Sequence, residues 1–430
     1  MGTPQTLAQK LIARAAGRPS VRVGEIVNCQ VDLAMFHDSS GPRRLKPMLE
    51  ELGAQIWDRS RVVLVMDHYV PEADDDARRI VRIARDWAAE QGLPHVHDSQ
   101  GICHVVLPQK GHLRPGLFGV GGDSHSPTGG AFGSYMFGVG STEMLGVVVT
   151  GEIWVKVPDT LRLRWQGRLA DGVCAKDMML HTIAHLGMNG GEYQAVEFAG
   201  DTVAALSMAE RMTLSNMSAE LGAQVGLIAP DATTAAWLRG VGVEVAPEEL
   251  VRWQTDVGAA CRDHLFDAEA LVPMVAIPHS PANGRSVDAV AGEVVQLAYI
   301  GACTGAKLED LQAAARILAG HRVAAGTRLL VAPASVQDWQ QAQATGVAQV
   351  LLAAGAEVLP SACGACAGYG NAVQGATRVI SSTARNFKGR MGSPEAEVFL
   401  ASPYTVAASA LRGRITDPRE VLSTTQVLPV

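Results

Sequence analysis

Three cysteines, Cys303, Cys363 and Cys366, and two places where aspartate adjoins histidine, Asp67-His68 and Asp123-Ser124-His125, have the types and spacing to do chemistry. Cys303 lies in "YIGACTGAKLEDL", where an apolar run ends in small residues before a helical pattern; Cys363 and Cys366 form a C-x-x-C in "LPSACGACAGYG". Small neighbours let backbone approach a bulky inorganic group and leave amide N–H groups free to point at its sulfur atoms. Taken alone, the C-x-x-C reads as a redox pair, half of a zinc site or two buried thiols. A structural zinc site needs four ligands, and no second C-x-x-C or C-x-x-H accompanies this one. A redox pair expects a thioredoxin-like unit, which the chain does not resemble. Three thiolates without a fourth suit a 4Fe-4S cluster with one iron open to substrate, able to act as a Lewis acid on a hydroxyl group. Cys29, Cys103, Cys174 and Cys261 are expected to be ordinary buried or surface thiols.

Removing water from a hydroxy acid requires a proton to leave carbon, a hydroxyl to leave as water and the substrate carboxylates to be held. Asp67-His68 closes the strand-like run "VVLVMDH", and Asp123-Ser124-His125 closes "GLFGVGGDSH". Adjacent side chains on a strand point to opposite faces, yet at its end both can turn toward one cleft. An aspartate beside a histidine can fix its tautomer and raise its basicity, which suits it to protonate a leaving hydroxyl or to orient a water. Either pair alone reads as a satisfied structural histidine at a sheet end; two such clusters among 12 histidines favour a site. For carboxylates the candidates are Arg385 and Arg390 in "ARNFKGR", because guanidinium groups bind carboxylates through paired hydrogen bonds and stay charged. Their alternative is a pair of surface arginines in a glycine-containing loop. Asn386, between them, and Ser124 are further substrate-binding candidates.

The elements that must position these residues read as α/β layers. Strand-like runs at 61–68, 116–125, 328–335 and 356–360 alternate with helical stretches at 74–91, 205–222, 308–319 and 337–354, which predicts mainly parallel sheets. Open sheets of this kind bind ligands at their strand ends, where the candidate residues fall. A length of 430 residues exceeds one core, and breaks near 158–170 and 268–285 divide the chain into domains 1–160, 161–275 and 276–430. With 47% apolar and 18% charged residues the chain is globular, and a net charge of −7 leaves no basic footprint for nucleic acid or an anionic membrane. The most apolar stretches are interrupted by Glu152, Lys156, Glu357 and Pro360, too soon to span a bilayer. The N-terminus lacks a secretory pattern, and seven cysteines without disulfide-framework spacing point to the cytoplasm.

The segments "GGDSHSPTGGAFGSYMFGVGSTE", "IGACTGAKLEDLQAAA", "CGACAG" and "SSTARNFKGRMGSPEAEVFLASPYTVAASALRGRITDP" resemble, in order and spacing, the successive signatures of the aconitase superfamily, and most closely its isopropylmalate dehydratase and homoaconitase large subunits. The likeness runs over almost the whole chain. It implies three α/β domains around a cleft holding the cluster, with the swivelling fourth domain carried by a separate small subunit. It also implies that Cys303, Cys363 and Cys366 are the cluster ligands and that Asp67, His68, Asp123 and His125 are active-site residues. Glu197 in "QAVEFAG" matches the acidic residue that contacts water on the open iron, and His104 in "GICH" a histidine lining the pocket. The family's carbon-acid base, a serine in a loop that also brings a carboxylate-binding arginine, has no counterpart here, so the small subunit is expected to supply both. The substrate is then a small di- or tricarboxylic hydroxy acid. Five positions depart from the family pattern: Ala302, Gly305, Lys307, Ala384 and Gln109 stand where serine, asparagine, arginine, asparagine and glutamate are usual. An RNA-binding relative and a non-catalytic metal-binding relative are the readings from other classes; the acidic charge disfavours the first, and both retained Asp/His clusters disfavour the second.

Overall fold

The computed structural model describes residues 3–369 and 372–422. The chain forms two compact units. One takes the chain up to Ser99, Cys103–Gly167 and Asn189–Asp267; the other takes Gln100–Ile102, Arg168–Met188 and the chain from Ala268 onward.

In the first unit, β1 (Ile26–Gln30) and β7 (Glu152–Lys156) make an antiparallel ribbon. A five-stranded parallel sheet has the order β4-β3-β2-β5-β6, from β2 (Leu33–His37), β3 (Val62–Met66), β4 (His95–Asp98), β5 (Phe118–Gly121) and β6 (Tyr135–Gly138). The sequences "LAMFH" and "VVLVM" are buried at every residue, as strands covered on both faces must be. Helix Asp75–Gln91 covers one face. Asp74 caps it by accepting from the Ala77 amide at 2.7 Å, and it buries the stripe Ala77, Ile80, Val81, Ala84, Trp87 and Ala88. Trp87 meets Phe36 of β2 with ring centroids 6.1 Å apart. A four-stranded parallel sheet follows in the order β10-β9-β8-β11, from β8 (Thr160–Gln166), β9 (Ala195–Ala199), β10 (Val225–Ile228) and β11 (Arg262–Asp267).

The second unit holds a seven-stranded sheet, β13-β12-β18-β17-β14-β15-β16. Its strands are β12 (Met274–Ala276), β13 (Gly284–Ser286), β14 (Leu297–Ile300), β15 (Arg328–Val331), β16 (Ala356–Val358), β17 (Arg378–Ser381) and β18 (Glu397–Ala401). The run from β18 to β16 is parallel, and β12 and β13 add an antiparallel edge. The three larger sheets thus draw their strands from 33–138, 160–267 and 274–401, with the first two gathered into one unit.

The helix expected over 337–354 is two helices, Val336–Ala344 and Val347–Ala354, because Gly346 between them has φ +81°, a conformation that ends an α-helix. The stretch expected over 205–222 contracts to Met208–Met217. No helix among the described residues is long and apolar enough to cross a membrane.

Candidate active site

Three adjacent parallel strands of the first unit end in acid–base residues. His37 closes β2 and is followed by Asp38; Asp67-His68 follows β3; Asp123-Ser124-His125 follows β5. Helix Cys103–Gln109 adds His104 near its start. His68 Nδ1 lies 2.7 Å from Asp67 Oδ1, while Asp67 Oδ2 accepts from the Cys103 amide at 2.7 Å. Asp38 accepts from the amides of His68 at 3.1 Å and Tyr69 at 2.7 Å. The rings of His37 and His68 stack at 3.9 Å, and His37 Nε2 meets the Gly122 carbonyl at 3.0 Å.

Asp123 joins the two halves of this group. Its Oδ1 is 2.6 Å from His104 Nε2 and accepts from the His125 amide at 2.8 Å, and its Oδ2 lies 3.8 Å from His68 Nε2. His125 Nε2 is in turn 2.9 Å from Glu220 Oε1.

These contacts push the two stacked histidines apart in acidity. Burial lowers both, and for His37 it wins, assisted by the charge on His68, leaving a pKa of about 4. For His68 the carboxylates of Asp67, Asp123 and Asp38 outweigh burial and push the pKa up to about 9. Burial works against the charge on Asp123, yet His104 and His125 hold its carboxyl well below the usual range. One imidazole is therefore a standing proton donor beside a neutral one, a split that marks acid–base sites. On proximity alone, His37, Asp38, Asp67 and His68, or His104, Asp123 and His125, could chelate one ion, since each set has its ligand atoms within 4.8 Å. The backbone amides on Asp38, Asp67 and Asp123, and the carbonyl on His37, instead fix these side chains as an oriented acid–base group.

Glu197 is not brought to this group. It sits in mid-strand on β9, register-paired with Arg162 and Leu227, and its Oε2 accepts from Thr255 Oγ1 at 2.5 Å. Burial raises its pKa. The carboxylate that meets His125 belongs to Glu220, which sequence reasoning missed; nothing in "SNMSAELGAQ" distinguishes it except an acid within a buried stretch. His37-Asp38 was also missed, although it repeats the strand-end pattern of Asp67-His68. Ser124 is exposed at the tip of its turn.

In the second unit the cysteines stand past the ends of parallel strands. Cys303 follows β14 in a tight turn, and Ala302 before it has φ +70°. Cys363 and Cys366 follow β16 in a 3-10 turn, with the Cys366 amide donating to the Cys363 carbonyl at 3.1 Å. Two buried lysines brace the first turn: Lys307 Nζ donates to the Cys303 carbonyl at 3.1 Å and pairs with Asp310 at 2.8 Å, and Lys176 Nζ reaches Thr304 Oγ1, Ser382 O and Thr383 O. A Cβ at Gly305 would lie 2.3 Å from Ser382 Oγ, so the serine hydroxyl occupies the space an asparagine side chain there would need. That hydroxyl accepts from the Gly301 amide at 2.9 Å and donates to the Gly301 carbonyl at 3.0 Å. The loop after β17 carries Arg385 and Arg390, both half-buried, and a Cβ at Gly368 would meet the Arg390 carbonyl at 3.0 Å, so this loop lies against the C-x-x-C turn. Asn386 is fully buried; its amide N–H groups donate to the carbonyls of Ile277 and Val398, each at 3.0 Å, while its Oδ1 has no partner among the described residues.

The profile of the aconitase family (aconitate hydratase) matches residues 10–293 and 286–413. The chain belongs to the aconitase family. Among its relatives are the 3-isopropylmalate dehydratase large subunit 1 of Methanopyrus kandleri, 40% identical over 97% of this chain and 100% of that one, and a probable methanogen homoaconitase large subunit of Methanothermobacter thermautotrophicus, 38% identical over 96% and 97%. A solved structure, aconitase X of Thermococcus kodakaraensis, shares the fold with a TM-score of 0.52, covering 86% of this chain and 88% of that one at 11% identity.

In an aconitase-family chain the question is whether the three thiols fit an iron–sulfur cluster, and the donor set does. Glycine and alanine line both turns, and the Tyr299 hydroxyl and Arg390 Nε are buried with no partner among the described residues. All seven cysteines are free of disulfides.

Proposed function

We propose that this chain is the large subunit of a 4Fe-4S hydro-lyase of the 3-isopropylmalate dehydratase type, acting in the cytoplasm with a small subunit. What carries the reading is the split between a protonated His68 and a neutral His37 at the ends of parallel strands, in a chain 40% identical to such a subunit over its full length.

Cys303, Cys363 and Cys366 hold the cluster. When bound, it supplies a Lewis-acidic iron for the substrate hydroxyl. His68 gives its proton to the departing hydroxyl oxygen, which leaves as water; Asp67 keeps Nδ1 engaged, so the proton is delivered from Nε2. His104, Asp123, His125 and Glu220 form a hydrogen-bonded chain that fixes the rings and can take up the proton that water gives off as its oxygen adds to the neighbouring carbon. Arg385 and Arg390 hold substrate carboxylates. The proton on carbon leaves to a serine of the small subunit, whose arginine completes carboxylate binding.

The homoaconitase relative supports a second substrate class, a longer tricarboxylic acid handled by the same groups. The test is iron and acid-labile sulfide in the anaerobic protein and in Cys303→Ala, Cys363→Ala and Cys366→Ala, followed by turnover of isopropylmalate and of homocitrate with the co-purified small subunit. About four irons per chain, lost in each variant, and preference for isopropylmalate are expected. Iron that ignores all three substitutions would sink the reading.

A further inference from the structure

Tyr299 lies on β14, the strand that leads to Cys303, and is 1% exposed. A buried phenol ordinarily finds a partner for its hydroxyl, and leaving one unpaired is costly. The Tyr299 hydroxyl has none among the described residues. Its ring curls back over the turn it precedes: a Cβ on Gly301 would stand 2.5 Å from the hydroxyl oxygen and 2.2 Å from ring atom Cε1. Glycine at 301 is what allows the ring to lie there. Burial, and after it the nearby side chains of Cys366 and Cys363, hold the acidity of this phenol well below the ordinary one. The O–H is thus held close to the turn of Cys303 and within the field of the other two thiols, with a hydrogen to give. Ala302, Gly305 and Ala384 carry no side-chain donor.

We propose that Tyr299 is a positioning residue for the cluster: its hydroxyl donates a hydrogen bond to a cluster sulfide or to the thiolate of Cys363 or Cys366, and so raises the reduction potential. The inference rests on the cluster reading above. Reduction adds negative charge that spreads onto sulfur, and a donor aimed at sulfur stabilises the reduced state more than the oxidised one. The same donor makes the cluster harder to over-oxidise, which slows loss of iron in air.

Tyr299→Phe keeps the ring and removes only the donor. In anaerobically reconstituted wild type and variant, a redox titration followed by electron paramagnetic resonance should show equal iron and sulfide content. At a fixed potential the reduced-to-oxidised ratio of the variant should be at least tenfold lower, about 59 mV for a one-electron couple. Iron release in air should be faster. Replacing the tyrosines with 3-fluorotyrosine, which strengthens the phenol as a donor, should raise the potential of wild type and leave Tyr299→Phe unmoved. Identical potentials in two proteins that both hold four irons, or a fluorotyrosine shift that persists in the variant, overturns the assignment while leaving the cluster reading intact. A wild type that takes up no iron overturns both.

Discussion

Past the ends of β2, β3 and β5, the acidic side chains and imidazoles are held largely by one another and by backbone amides; past the ends of β14 and β16, three thiols stand in turns of glycine and alanine, with the Tyr299 ring over Gly301 and the loop after β17 against the C-x-x-C turn. The first arrangement sets its own protonation states before any substrate arrives, because Asp67, Asp38 and Asp123 decide which ring carries the proton. The second leaves two buried donors, the Tyr299 hydroxyl and Arg390 Nε, without a partner among the described residues. An oriented acid–base group and a set of thiol-bearing turns are thus built by the same device, the carboxyl end of a buried parallel strand, and differ only in what the strand-end residues offer.

The contrast can be broken most forcefully from the acid–base side. His68→Gln should leave iron and sulfide content unchanged while lowering turnover about 10²- to 10⁴-fold, the range typical of losing a general acid; a variant that lost iron as well would show that the two regions are not chemically separable. The pH profile belongs to the same test. With His68 pushed up to about 9, turnover that uses its proton should fall as pH rises through about 9. The stability sign agrees, since a pKa raised above the free value of about 6.5 stabilises the fold fully below about 6.5 and is lost on passing about 9.

A smaller effect is expected at Gly305. Gly305→Asn would drive its Cβ into Ser382, 2.3 Å from Oγ and 2.8 Å from the backbone carbonyl, and overpacking of this kind costs about 1–3 kcal/mol. Calorimetry should show a lower Tm, and a partial recovery with Ser382→Gly would locate the conflict. The smallest effect is at Ala302, whose φ of +70° is one that L residues adopt at a cost of about 1–2 kcal/mol. Ala302→Gly should stabilise the protein by up to about 1 kcal/mol, offset in part by the freedom glycine gains when unfolded; an unchanged or lower Tm would show that the turn is not strained at that residue.

Much of this was legible in the sequence wherever the signal was local. The apolar runs, the aspartate–histidine pairs at their ends and the cysteine-bearing small-residue turns all lie within a few residues of one another, and the strands and helices fall close to where those patterns put them. What was not legible depended on contacts between distant segments. Glu197 and Glu220 are both acids in buried stretches, and only the fold shows that Glu220 meets His125 while Glu197 turns to Thr255. Asn386 lies between two arginines in the sequence, and only the fold shows that carbonyls of residues 277 and 398 take its N–H groups. Gly305 looked like a lost hydrogen bond until Ser382, 77 residues away, was seen to fill the space.

Helix Ala175–Leu186 belongs to the second unit although the chain returns to the first for Asn189–Asp267 before the rest of the second begins. Through Lys176 it ties down Thr304, Ser382 and Thr383 beside the first cysteine turn. A ribosome emitting this chain therefore releases the brace more than a hundred residues before the turn it braces. Neither unit can be excised by a single cut, and a fragment beginning at Ala268 would lack the lysine that braces the turn of Cys303. The turn of Cys303 is therefore fully braced only once residues 382 and 383 have been made and have reached that helix, late in the synthesis of the chain.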